Sequence, residues 1–153
     1  MIEGQPLPAI DDPLDRAFWE KARQGVLVIQ ACASCGEQRF PPRPMCPHCQ
    51  SESIAWQEDA GDATVWSFAS PRPPLLPAFE AMAPYVTVIG ALASNPAIRI
   101  AGMVIASDEA SPTGLGPGDV AIGQPIQIHF REVAPGCALP FWRLESSSLE
   151  YLR

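Results

Sequence analysis

Four cysteines stand in two pairs, Cys32 with Cys35 and Cys46 with Cys49, in the segment CASCGEQRFPPRPMCPHC, with the spacing C-x2-C-x10-C-x2-C. Each C-x2-C pair folds into a tight knuckle that offers two thiolates to one ion, and two knuckles complete a tetrahedron. Zinc suits such a set because it accepts four sulfurs at about 2.3 Å and carries no redox chemistry of its own. Gly36, directly after the second cysteine, lets the backbone turn where a side chain would obstruct. Four protein ligands leave no open position for water, so the expectation is one structural zinc ion per chain rather than a catalytic one.

Iron is the competing ion, since CGEQ and CPHC look like rubredoxin knuckles, although the two knuckles here lie much closer in sequence than in rubredoxin. His48, inside the second knuckle, could replace a cysteine as ligand, but four sulfurs already satisfy the ion and it reads as a surface histidine.

A catalytic apparatus is harder to assemble. The chain has two histidines, and the second, His129, alternates with Ile128 and Phe130 and so falls on the polar face of a strand with Gln127 and Arg131. Cys137 is left over from the two pairs, and PGCALP supplies no base or positive neighbour to activate it as a nucleophile. GLGPG, from Gly114 to Gly118, lacks the Lys-Ser/Thr of a phosphate loop and reads as a flexible connection. The adjacent carboxylates Asp11–Asp12 and Glu58–Asp59 read as solvated or capping groups. No nucleophile, base and orienting group come together, and the expectation is a chain that is not itself an enzyme.

The elements that must position the cysteines follow from the surrounding pattern. Asp12 is placed to cap a short helix that starts at Pro13 and runs to a stop at Gly25, with Leu14, Phe18 and Ala22 on one face and Trp19 beside them. Val26 to Ile29 reads as a buried strand leading into the first knuckle. From Ile54 onward the pattern is β, with alternation around Val65 to Ala69, from Tyr85, from Ile98, and in PIQIHFREV, where Ile126, Ile128 and Phe130 share a face. Two proline- and glycine-rich stretches, Pro71 to Pro84 and Ser107 to Asp119, interrupt the strands. About five strands with two long loops fit a small Greek-key barrel of the OB type. The fold expected is mainly β: an N-terminal helix and leader strand over residues 1–29, a rubredoxin-like zinc ribbon over 30–53, and an OB-type barrel over 54–153.

Composition sets the outer bounds. A chain of 153 residues has room for one core plus a stapled appendage, and 47% hydrophobic residues make it globular rather than disordered. Five cysteines without a basic, apolar start to the chain point to metal thiolates in a cytoplasmic protein rather than to disulfides. No stretch approaches the roughly 20 apolar residues that cross a bilayer, so no membrane partner is expected. The formal net charge is -7, and residues 54–153 carry only Arg72, Arg99, Arg131, Arg143 and Arg153 as basic groups. That balance disfavours the runner-up function, a nucleic-acid-binding ribbon and barrel, which needs a basic groove with stacking aromatics.

The order of features resembles one family closely: a helix carrying FW, a leader strand, CxxCG, then F-P-P-R-P-x-C-P-x-C, then a barrel with ATVWSFASPR, APYVTVIGAL and IGQPIQIHF. These are similar to the zinc-ribbon plus OB-fold acyl-CoA-associated proteins, and the resemblance covers nearly the whole chain. It implies an accessory subunit of a thiolase-like, acyltransferase, hydratase or aldolase enzyme that handles acyl-CoA thioesters, with the ribbon docked on the partner and the barrel near the CoA entrance. Two features depart from the family: the proline-rich loop replaces a more polar turn, and the acidic residue usual after the VxL strand is missing at ALAS. On this reading Arg39, Arg43 and Arg72 are the candidates for CoA phosphates, because planar guanidinium forks suit phosphate and nine of the ten basic residues are arginines. Phe18, Trp19, Leu75, Leu76, Phe79 and Met82 are the candidates for an apolar surface covered by a partner or a second copy.

Overall fold

A computed structural model describes residue 4 and residues 6–145. The outermost parts of the two terminal segments expected above, residues 1–3, 5 and 146–153, lie outside the described residues, as does Arg153. No helix among the described residues is long and apolar enough to cross a membrane.

Helix α1 spans Arg16–Ala22, one turn later than its sequence signals suggest. Asp12 still starts the element: its side chain accepts the Leu14 N–H at 2.8 Å and its carbonyl accepts from Arg16 N, but residues 13–15 form a turn. Phe18 and Ala22 bury one face. The chain then enters β1, Leu27–Cys32, all six residues of which are buried. This strand is the centre of a three-stranded antiparallel sheet, between the two-residue β2, Gln38–Arg39, and β3, Ile54–Asp59. The pairing runs from Leu27 opposite Asp59 to Cys32 opposite Ile54. A boundary at residue 54 therefore separates two strands that share a full ladder.

The remaining strands close a barrel: β4, Asp62–Ala69; β5, Thr87–Leu92; β6, Arg99–Ile105; β7, Pro125–Ala134; and β8, Cys137–Leu144. Their order is β4-β5-β6-β8-β7, with β7 returning to β4 and only the β6–β8 pair parallel. Five strands in that Greek-key order are the OB-type barrel expected from the alternation. A one-turn helix, α2, Pro77–Glu80, lies in the long β4–β5 connection.

Trp142 fills the middle of the barrel, fully buried, with its indole N–H donating to Ile100 O at 3.1 Å. Gly90 on β5 makes room for it: a Cβ at that position would lie 2.4 Å from the indole ring. Val65, Val88, Ile100, Val104 and Ile126 pack in the same cluster, and so do Phe18, Leu27, Val28 and Ile29. Ribbon sheet and barrel therefore share one apolar core. Their seam is also stitched by polar groups: Ser94 donates to Asp59 at 2.5 Å, and Asn95 donates to Gln38 at 3.0 Å.

Candidate metal centre

The two knuckles are built alike. In the first, Gly36 N–H donates to Cys32 O at 2.8 Å and Cys32 N–H to Glu37 O at 2.9 Å. In the second, Gln50 N–H donates to Cys46 O and Cys46 N–H to Ser51 O, both at 2.9 Å. Equivalent positions take the same left-handed backbone, φ +79° at Gly36 and φ +63° at Gln50. Gly36 does the job assigned to it, whereas Gln50 does the same job without glycine's freedom. Ser34 Oγ and Ser51 Oγ, 2.8 Å apart, tie one knuckle to the other.

This framing brings the four sulfurs together. Cys32 and Cys49 are 3.5 Å apart, Cys35 and Cys46 are 3.7 Å apart, and all four Sγ atoms lie within 4.8 Å of one another. A tetrahedral zinc with bonds of about 2.3 Å has sulfur edges of about 3.8 Å. The residues fit the ion, with Cys32 and Cys46 buried beneath it and Cys35 and Cys49 on the solvent side. The centre is a structural zinc site held by Cys32, Cys35, Cys46 and Cys49.

The thiols are electrically unequal before metal arrives. Burial pushes Cys32 up, but the backbone N–H groups of Cys35 and Ser34 and the thiols of Cys49 and Cys35 outweigh it and bring its pKa to about 6. Cys46 is lowered in the same way, chiefly by the backbone N–H of Cys49. At Cys35 the Glu37 N–H lowers the pKa, but burial and the crowding of Cys49, Cys32 and Cys46 prevail and push it up to about 12. Zinc must therefore displace a proton from Cys35 at neutral pH, and because its ligands bind as thiolates the site weakens as pH falls.

His48 is exposed and outside the ligand set. Arg39 lies where the sequence gives no hint. It is 5% exposed, its Nε–H donating to Gln30 Oε1 at 2.6 Å and its Nη2–H reaching Arg43 O at 3.4 Å. Gln30 Oε1 also accepts the Arg43 N–H at 2.8 Å. The pair opposes across the β1–β2 ladder and holds the FPPR turn against the ribbon sheet. With Nη1 enclosed as well, Arg39 presents no open face to a phosphate. Arg43 and Arg72 are exposed.

The apolar candidates also divide. Phe18 is 3% exposed, with its ring 5.5 Å from Phe40 in the ribbon and 6.0 Å from Phe130 on β7, so it is the wedge between the two parts rather than a partner surface. Met82 is buried within the chain too. A surface role is open only to the others: Trp19, Leu75 and Phe79 are half-buried, and Leu76 is 62% exposed. Trp66 and Ile122 are also exposed on the barrel; Trp66 follows the in-out alternation of Ala63, Thr64 and Val65, whereas Ile122 lies in a turn where no alternation marks it. His129 Nδ1 sits 3.5 Å from Asp108, which also pairs with Arg143 at 3.0 Å. Cys137 is buried, and burial raises its pKa, which makes it a poor nucleophile.

Comparison with known proteins agrees with this geometry. Residues 19–55 match the family model of the ChsH2 rubredoxin-like zinc ribbon domain. Over 140 residues, 91% of its length, the chain is 37% identical to a probable enoyl-CoA hydratase alpha subunit of Thermomonospora curvata, and it spans 40% of that curated relative. Among solved structures it is similar to the Ltp2-ChsH2(DUF35) aldolase, with TM-score 0.75 and 34% identity, covering 90% of this chain and 98% of that one. A DUF35-family protein of unknown function from Sulfolobus solfataricus has TM-score 0.56 and 16% identity, covering 90% and 89% of the two chains, and shares the fold.

Proposed function

The chain belongs to the DUF35 family in its ChsH2 form, and from that premise we propose that it is a non-catalytic accessory subunit of an enzyme that processes acyl-CoA thioesters. The observation that carries this is the match along 98% of a chain from an aldolase named for Ltp2 and ChsH2(DUF35) together. The hydratase subunit supports the same class, since a region like this one forms part of its chain. A thiolase-like, hydratase or aldolase subunit is the partner, and the fold supports a docking role, because its metal is closed by four ligands and its lone cysteine is buried.

Within that reading the barrel contributes to the partner's CoA channel, and coenzyme phosphates are held by Arg43 and Arg72, the exposed members of the arginine set. The test is affinity purification of the tagged full chain from its own cells, with the bound proteins identified by mass spectrometry. A stoichiometric acyl-CoA-processing subunit, whose CoA affinity drops in Arg43→Ala and Arg72→Ala complexes that still assemble, is the expected result. Retention on single-stranded DNA at moderate salt, with no such subunit recovered, would overturn the proposal.

A further inference from the structure

The two long connections that break the strand pattern meet over one patch of the barrel. The β4–β5 connection supplies Ala81 and Met82 after α2, the β6–β7 connection supplies residues 109 and 111–113, and between them lie Met103 of β6, Arg131 of β7 and Phe141 of β8. Met103 and Phe141 are partners in the parallel β6–β8 ladder, so they stand side by side on the outer face of the sheet. Together these elements enclose a cleft of about 450 Å³, within the roughly 300–1,000 Å³ typical of small-molecule sites.

The walls are fixed in place. Arg131 donates to Ala110 O at 2.9 Å and Asp108 O at 2.6 Å, holding the β6–β7 connection, while its guanidinium lies 5.1 Å from the centre of the Phe141 ring. Gly114 N–H donates to Pro84 O at 2.7 Å, joining the two connections. Two methionines give the floor an adaptable apolar lining. Around it stand one cation, Arg131, and one carboxylate, Glu109, while Glu132 spends its carboxylate on the Gly136 N–H at 3.0 Å. With the two charges balanced, the cleft offers no net attraction to offset the desolvation of a carboxylate or phosphate, and it favours a neutral group whose oxygen can accept from Arg131.

We propose that this cleft binds the aliphatic chain of a neutral acyl thioester, with the thioester carbonyl towards Arg131. The acyl class rests on the reading of the chain as an acyl-CoA enzyme's subunit, whereas the preference for an uncharged chain over a fatty carboxylate rests on the lining of the cleft itself.

The test is calorimetric titration of acetyl-, hexanoyl- and octanoyl-N-acetylcysteamine, and of octanoate, into the zinc-loaded full chain. Affinity is expected to rise about fourfold for each methylene added to the thioester, with octanoate binding more weakly than the octanoyl thioester. Ala81→Trp, at an exposed rim position, and Met103→Trp each fill the cleft and are expected to weaken octanoyl binding on the order of tenfold or more, at unchanged zinc content. Absence of octanoyl binding, affinity independent of chain length, octanoate binding as tight as the thioester, or wild-type affinity in both variants overturns the assignment. Enzyme capture by the same preparations separates the two readings. A chain that captures an acyl-CoA enzyme but ignores every thioester loses the cleft and keeps its subunit role, and one that binds thioesters with the expected length dependence but captures no enzyme does the reverse.

Discussion

The knuckles and the barrel hold their shapes by opposite means. Around Trp142 the barrel buries a continuous apolar cluster, and its stability is distributed over many side chains. In the two cysteine knuckles nearly every residue is exposed apart from Cys32 and Cys46, so there is little apolar surface to bury and the metal must supply the cohesion. The difference teaches where each part is fragile: the knuckles fail at one point, the barrel only by loss of packing. Strand β1 couples them, since it enters the common core at Leu27 and delivers the first ligand at Cys32.

The largest expected effect tests the knuckles. Cys46→Ser removes a buried ligand, and structural zinc supplies on the order of 10 kcal/mol of folding free energy in zinc-finger peptides. The variant is expected to lose its zinc and the amide protection of residues 32–53, while β5 and β6 stay protected in hydrogen exchange. Loss of protection throughout would show that the two regions are one cooperative unit and would break the comparison.

Core changes come next. Trp142→Ala is expected to cost about 3–5 kcal/mol in denaturant unfolding, and Gly90→Ala about 1–3 kcal/mol, because the new methyl group meets the same ring. Both are expected to keep one zinc per chain by metal analysis. Loss of metal in either would mean that the knuckles lean on the barrel more than their own hydrogen bonds suggest.

The smallest effect sharpens the likeness of the two knuckles. Gln50→Gly relieves a left-handed backbone and is expected to stabilise the zinc-bound chain by about 1 kcal/mol or less, read as slower zinc transfer to a chelator. Faster transfer would show that the Gln50 side chain contributes something its backbone angle does not reveal.

What could be read from the sequence was what local spacing determines. The ligand set follows from two C-x2-C pairs, and the barrel from alternation as regular as that of Ile126 and Ile128. What escaped depends on distant partners. Arg39 looks like a free cation until the β1–β2 register sets Gln30 opposite it. Phe18 looks the same in a short amphipathic helix whether it faces a partner or its own barrel, and only the proximity of Phe40 and Phe130 decides. The pairing of β3 with β1 crosses the whole ribbon, so nothing near Ile54 announces it. Gln50 carries no turn signature although it occupies the position of Gly36.

The account stands most directly on metal analysis combined with thiol counting. Purified protein is expected to hold one zinc per chain and to resist alkylation at all five cysteines, four through the metal and Cys137 through burial. After chelation, Cys32, Cys35, Cys46 and Cys49 are expected to react rapidly while Cys137 stays slow. Predominant iron with a rubredoxin-like visible spectrum, or a metal-free protein whose knuckles remain ordered, would contradict it.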